Sequence, residues 1–233
     1  MEICCIIPAR GGSKGIKNKN IIDLNGKPLI AYTINTALSV PSISRVIVST
    51  DHYKIAKISR KYGAEVVNRP SEISTDKSAS EETLIHVINY LKKNENYLPD
   101  LIVFLQCTSP LTTSQDIEET IALLINENAD SAFSASPFHY FLWSIDSNGE
   151  AEGVNHDKKG KRILRQQIDT QFRETGAIYV MRTKQFMEIK NRFFGKTLLH
   201  ITPASRTYEI DEPEDLDYVK YKIMNNQNSN KLR

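Results

Sequence analysis

Three cysteines in 233 residues, Cys4, Cys5 and Cys107, fit neither a disulfide framework nor metal-ligand spacing. Long apolar runs are also missing: none approaches the roughly 20 residues that span a bilayer. Met1-Glu2-Ile3 carries no basic flank, and the apolar stretch that follows is interrupted at Pro8. Neither a membrane span nor a secretory signal is expected, which points to the cytoplasm. Charge of one sign is scarce as well. A formal net charge of +2 gives no electrostatic reason to expect nucleic acid as a partner. No persuasive Ser-His-Asp or Cys-His arrangement stands out, so covalent nucleophilic catalysis has no visible machinery.

What is present is a regular alternation. Buried-strand runs are expected at Ile3–Ile7, Arg45–Ser49, Ala64–Val67, Leu101–Leu105, Ser131–Ala135, Gly176–Met181 and Leu198–Ile201. Cys4 and Cys5 sit in the first run, so one should face each side of the sheet. Helical spacing falls between the runs: Pro28 to Leu38, Asp51 (as N-cap) to Tyr62 closed by Gly63, Glu81 to Lys93, Ser114 to Asn126, and from Pro213 onward, with a frayed tail over Asn225–Arg233. This pattern predicts an α/β fold, a mostly parallel sheet with helices on both faces. The length suits a single domain over 1–233. Ligands of such sheets bind outside the carboxyl ends of the strands, which selects Pro8–Asn20, Ser49–Asp51 and Gln106–Pro110.

The alternation breaks between Pro137 and about Gln171. Phe138, Tyr140, Phe141 and Trp143 are followed there by a polar segment punctuated by Gly149, Gly153 and Gly160. The stretch reads as an excursion such as a hairpin, whose aromatics make either a subunit surface or a small satellite core.

The loop after the first strand, Pro8 to Asn20, holds Gly11, Gly12 and Gly15 with Arg10, Lys14, Lys17 and Lys19. Glycines admit backbone N–H groups close to a phosphate, and the cations neutralise it. The spacing is neither a Walker A loop nor G-x-G-x-x-G. Four cations suit a triphosphate better than a dinucleotide.

Ile7-Pro8-Ala9-Arg10-Gly11-Gly12-Ser13-Lys14-Gly15 with Lys19-Asn20 resembles the signature of the acylneuraminate cytidylyltransferases, the CMP-sialic acid synthetases. The resemblance continues in order through Ser49-Thr50-Asp51, Arg69-Pro70, Thr75-Asp76 with Ser78 and Ser80, Gln106-x-Thr108-Ser109-Pro110-Leu111, Arg165-Gln166-Gln167 and Gly176-Ala177-Ile178-Tyr179. Enzymes that activate 3-deoxy-octulosonate open similarly but usually run into Leu-Pro-Gly-Lys-Pro; Lys17-Asn18-Lys19-Asn20 stands in that place here. The resemblance implies a Rossmann-like nucleotidyltransferase three-layer sandwich, with the excursion at about 137–171 serving dimerisation of a homodimer. It implies CTP as co-substrate, a nonulosonic acid such as N-acetylneuraminate as acceptor, and Mg²⁺. Legionaminic, pseudaminic or 3-deoxy-octulosonic acid is the alternative within the class, and a non-catalytic nucleotide-sugar-binding protein the alternative outside it.

The same resemblance implies residue roles. Arg10 and Lys19 contact phosphates, with Ser13 beside them, while Asn20, Arg69, Ser78 and Ser80 hold cytidine. For Ser80 a plain helix cap is the competing reading. An anionic sugar needs a cation and hydrogen bonds, for which Arg165, Arg173 and Gln106 are candidates with Tyr179 lining the pocket. Arg165 matches the family's catalytic arginine, so Arg165, Lys19 and Arg10 form the expected catalytic set. Phe193-Phe194 resembles a pair that reaches the neighbouring subunit's sugar pocket, although adjacent phenylalanines are more often core. Glu209 and Asp211, at i and i+2 of an extended segment, are the metal candidates; the family commonly has Asp-x-Asp there, and Asp211 is the safer of the two. Phe141-Leu142-Trp143-Ser144 lacks a lysine that some bacterial members place there, and Thr175 replaces an asparagine of some relatives. Both departures bear on the sugar and not on the nucleotide.

Overall fold

A computed structural model of the chain describes residues 1–161, 164 and 170–231, those from 226 onward by backbone alone. Seven strands form the main sheet in the order β11-β7-β10-β6-β1-β4-β5. Their ranges are β1 Ile3–Pro8, β4 Arg45–Thr50, β5 Glu65–Asn68, β6 Leu101–Leu105, β7 Ser131–Phe138, β10 Gln171–Arg182 and β11 Thr197–Ile201, while β2 (Asp23–Leu24) and β3 (Lys27–Pro28) form a separate short antiparallel pair. Only β10 runs antiparallel to its neighbours β6 and β7. The others pair in parallel, β1 with β4 and β6, β4 with β5, and β7 with β11. The mostly parallel sheet is thus present.

Alternate residues of β1 face opposite cores, because strand side chains alternate across the pleat. Cys5 and Ile7 lie with Ile30 and Ile34 of α1 (Leu29–Leu38), Ile55 of α2 (Tyr53–Lys61) and Ile117 of α4 (Ser114–Asn126). Cys4 and Ile6 lie with Leu84, Val87 and Ile88 of α3 (Ser80–Glu95) and Phe186 of α5 (Thr183–Ile189). Helices therefore cover both faces in three layers, and each buried Leu or Ile adds about 1.5–3 kcal/mol of transfer free energy. Burial also pushes the Cys4 thiol up to about 12, so it is packing material and not a nucleophile.

Several boundaries differ from expectation. Asp51 does not cap α2; His52 is the N-cap and gives no side-chain bond, while the Asp51 carboxylate accepts from Gly11 N at 2.9 Å. Ser80 is the first residue of α3 and makes no capping bond either. At α4 the cap is Thr113, in a reciprocal capping box with Asp116. α6 (Pro213–Lys231) continues through most of the tail that reads as frayed. β10 starts five residues earlier than its apolar core suggests. Glu174-Thr175-Gly176 interrupts the alternation, and the pairing with β7 shifts register between Glu174 and Tyr179, with Gly176 at φ +67°.

The excursion contains a separate two-stranded hairpin, β8 (Trp143–Ile145) with β9 (Ala151–Gly153). Phe141 and Trp143 meet the His156 ring edge-on at 4.8 and 4.6 Å, so the hairpin has a small core of its own. Among the described residues no helix is long and apolar enough to cross a membrane.

Candidate active site

The loop after β1 is held in shape by its own short-range chemistry. Ala9 N donates to Ser49 O at 2.9 Å, extending the β1–β4 ladder by one bond. Gly11 N then reaches Asp51, and the Asn20 amide donates back to Arg10 O at 3.0 Å, closing the loop end to end. Ile16 is buried beside Leu29, Ile210 and Leu216, which pins the loop's middle. Gly15 lies so close to the following chain that a Cβ there would stand 2.4 Å from Asp211 O. A Cβ on Gly11 would meet the His52 ring at 2.7 Å. These two glycines are required by proximity.

Behind this loop, at the carboxyl ends of β1, β5 and β6, is a cavity of about 420 Å³. Strand order reverses there, since β1 has β4 on one side and β6 on the other. Arg10, Ser13, Lys19, Asn20, Arg69, Ser78, Ser80, Gln106 and Asp211 all line it. The sequence-predicted phosphate and cytidine residues are therefore gathered at one place.

Its charges are already paired across the mouth. Arg10 and Lys14 each meet Asp76 at 2.7 Å, and Lys19 meets Asp211 at 2.8 Å. Carboxylates thus occupy the cations that a phosphate group would engage. Arg69 differs: it is 8% exposed, its Nη2 donates to Ser49 O at 2.6 Å, and its Nε is buried with no partner. Burial pushes its pKa down, and the Arg10 charge adds to that. Arg69 lines the cavity, so an acceptor bound there would meet a buried guanidinium that is only partly hydrogen-bonded. On the same side Ser78 Oγ accepts from Thr75 N at 3.1 Å and fixes the turn before α3.

The expected sugar residues are less concentrated. Gln106 lines the cavity, its backbone N donating to Ala177 O. Tyr179 does not reach the cavity. It is 2% exposed, its hydroxyl donates to Glu174, and its ring stacks on Phe104 at 5.2 Å. Phe104 is the ring that lines the cavity. Arg192 lies over both rings, 4.6 Å from the Tyr179 centroid and 5.2 Å from that of Phe104, and pairs with Glu81 at 2.6 Å. Arg173 donates to Thr207 Oγ1 at 3.1 Å and stays off the cavity. Phe193 is half-exposed, edge-on to Phe133. Phe194 is corrected to a core residue, buried beside Phe186 and Met181. Arg165, with Gln166 and Gln167, lies outside the described residues.

The two metal candidates also part company. Asp211 is exposed on the cavity rim. Glu209 is not on the lining; its carboxylate packs over Gly176, where a Cβ would stand 2.7 Å from Oε1. Burial, then the neighbouring Asp211 charge, raises the Glu209 pKa. Among the described residues no three His, Cys, Asp or Glu side chains cluster as a self-sufficient metal cage.

Sequence reasoning missed Phe104, Arg192 and the pairing role of Asp76. Phe104 carried a usable signal, being next to last in a strand whose carboxyl end opens on the cavity. The pairing of Arg192 with Glu81, far apart in sequence, left no local trace.

Residues 4–228 match a family described as cytidylyltransferase. The pseudaminic acid cytidylyltransferase of Campylobacter jejuni is 30% identical over 229 residues, 96% of this chain and 97% of that protein. The N-acylneuraminate cytidylyltransferase of Escherichia coli is 30% identical over 223 residues, 93% of this chain but 51% of the longer relative. Among solved structures, a CMP:2-keto-3-deoxy-manno-octonic acid synthetase complexed with CTP superposes with a TM-score of 0.74 at 16% identity, over 97% of this chain and all (100%) of the other. The 4-diphosphocytidyl-2C-methyl-D-erythritol synthase of Anaerococcus prevotii gives 0.67 at 15% identity, covering 96% of this chain and 98% of its own. Likeness at such identities speaks for a shared nucleotidyltransferase fold.

Proposed function

Because the chain belongs to the cytidylyltransferase family, we propose that its cavity binds CTP and that the enzyme transfers CMP to a nonulosonic acid, with N-acetylneuraminate as the acceptor and pyrophosphate as the second product. The observation that carries this reading is the arrangement of cations: Arg10, Lys14 and Lys19 from one glycine-rich loop, opposite the buried, half-bonded Arg69. A triphosphate lying along the loop displaces Asp76 from Arg10 and Lys14. Cytosine, with acceptors at O2 and N3, takes the spare Arg69 donor and the Ser78–Ser80 turn.

In the reaction the anomeric hydroxyl oxygen forms a bond to the α-phosphorus as the bond from that phosphorus to the β-phosphate bridging oxygen breaks, and the hydroxyl proton passes to solvent. Positioning and charge neutralisation supply the catalysis, so no covalent nucleophile is required. Arg10 and Lys19 hold the phosphate oxygens in line, and Gln106 orients the acceptor beside Phe104. Arg165 is assigned to the sugar carboxylate and the α-phosphate by resemblance.

Mg²⁺ fits the donor set. One exposed carboxylate at the rim, with phosphate oxygens and water, is the kind of incomplete oxygen site that this ion takes. When bound it neutralises charge on the triphosphate. Asp211, on the rim, would hold it, with Glu209, packed behind Gly176, in a supporting role.

A second acceptor has a specific observation in its favour. A relative of matching length is named for pseudaminic acid, whereas the chain spans about half of the N-acylneuraminate relative. We assign the enzyme as a homodimer through the excursion, and to the cytoplasm, where CTP is found. Incubating the protein with CTP, Mg²⁺ and a panel of N-acetylneuraminic, pseudaminic, legionaminic and 3-deoxy-octulosonic acids tests the reading. Release of pyrophosphate with N-acetylneuraminate is expected. Release with pseudaminic acid alone would move the acceptor, and CTP binding without release from any sugar would leave a nucleotide-sugar-binding protein.

A further inference from the structure

One buried carboxylate outside the cavity ties together two of the segments that line it. Asp116 belongs to the first turn of α4, and its side chain is 2% exposed. Oδ2 accepts from Thr113 N at 3.0 Å and from Thr113 Oγ1 at 2.6 Å, while Thr113 Oγ1 accepts from Asp116 N. The same carboxylate accepts a two-pronged bond from Arg206, Nε to Oδ2 at 3.1 Å and Nη2 to Oδ1. Arg206 ends a short 3-10 turn, Ala204–Arg206. From there the chain runs through Thr207, which accepts from Arg173, to Asp211 on the cavity rim.

The Thr113 side of this junction is the end of the Gln106–Thr113 loop, which contributes Gln106, Cys107 and Thr108 to the cavity. The two segments meet again farther along, where Ile210 N donates to Thr108 O at 2.8 Å. Two junctions, one at Asp116 and one at Ile210–Thr108, set one segment against the other. Bidentate Arg–carboxylate geometry fixes direction as well as distance, which a single bond does not. A helix cap alone needs only Thr113; the fork to Arg206 goes beyond what capping asks for.

We propose that Asp116 is a positioning residue. Through Thr113 and Arg206 it locks the Gln106–Thr113 and Thr207–Asp211 segments in one register, so that Gln106 and Asp211 address the same ligand. The assignment rests on the CTP-and-sugar reading of the cavity. Asp116 itself touches no ligand: its oxygens are spent on Thr113 and Arg206, and it is absent from the cavity lining.

The test compares wild-type protein with Asp116→Asn and Arg206→Gln by amide hydrogen exchange and by CTP kinetics at varied Mg²⁺. Faster exchange is expected at Thr113 and Ile210, while amides of β1 and β6 keep their protection. The expected kinetic result is a kcat lower by about tenfold or more, with KM for CTP little changed and more Mg²⁺ needed for half-maximal rate. Arg206→Lys, which keeps the charge but loses the fork, should fall between. Unchanged exchange at both amides overturns the proposal, as does a uniform loss of protection with kcat intact while the protein is folded. If Asp116→Asn does not fold, Arg206→Gln, altered at a side chain 35% exposed, decides. If wild-type protein turns over no sugar, the functional reading fails, and the exchange measurement still judges the lock.

Discussion

At the scale of single residues, the cavity depends on side chains that are absent as much as on those present. Gly15 has no φ requirement for glycine, yet a methyl group there would press on the Asp211 backbone carbonyl at 2.4 Å. Gly15→Ala must push apart the loop that carries Arg10 and the segment that carries Asp211. We expect CTP turnover to fall by about tenfold or more, since displacements near 1 Å are that costly, with a smaller loss in melting temperature. Steady-state kinetics and a thermal melt check both, and a variant with wild-type kcat/KM would show that the two segments move independently. Gly12, whose added Cβ meets nothing within 4 Å, is the matching control.

At the scale of elements, α4 and its capping box decide how the fold responds to acid. Burial pushes the Asp116 carboxyl upward, but the neighbouring His200, Arg206 and Thr113 together outweigh it and hold the pKa well below the usual carboxylate range. His200 stands 3.8 Å from Oδ1, outside hydrogen-bond reach, and adds attraction only when protonated. A folded-state pKa below the unfolded value means stability that is fully present above about pH 4 and lost as pH falls toward the folded value. Chemical denaturation across pH should therefore show wild type losing its advantage over Asp116→Asn below about pH 4; a constant gap would remove Asp116 from the acid response. Thr113→Ala, which deletes one arm of the box, should cost about 1 kcal/mol at neutral pH.

Elements were the most legible level of the sequence. Ile3–Ile7 and Leu101–Leu105 are continuous apolar runs bounded by turn residues, and nothing competes with a buried strand there. Thr175-Gly176 was opaque because a bulge is defined by its partner strand: Ser134 Oγ accepts from Ile178 N and pairs with Thr175 Oγ1. The cavity was legible where its residues share one loop or one strand end, as Arg10, Ser13, Lys19 and Asn20 do. It was illegible where chemistry comes from the far side of the fold. Arg173 is turned away to Thr207, Glu209 sits behind Gly176, and Asp51 serves the Gly11 amide instead of its own helix. Each of those fates is set by a neighbour more than 30 positions away.

At the scale of the whole molecule, the hairpin of β8 and β9 is a sheet separate from the main one and leaves several apolar side chains exposed. Ile145 is 78% exposed, and Tyr140, Trp143 and Val154 in and around the hairpin are exposed as well. A patch of this kind on a chain assigned as a homodimer is the expected subunit contact. Ile145→Lys with Trp143→Ser should shift the sedimentation coefficient from dimer to monomer at micromolar concentration while leaving CTP binding in place. A dimer of unchanged strength would put the interface elsewhere.

The proposed function requires the cavity between the glycine-rich loop and Arg69 to be the CTP site. Diffraction from crystals soaked with CTP and Mg²⁺ tests this most directly. The triphosphate should lie along Arg10, Lys14 and Lys19, with Asp76 released and the cytosine against Arg69 and the Ser78–Ser80 turn. Nucleotide density in any other pocket, or a triphosphate directed at Arg69 with the base at the loop, would contradict it.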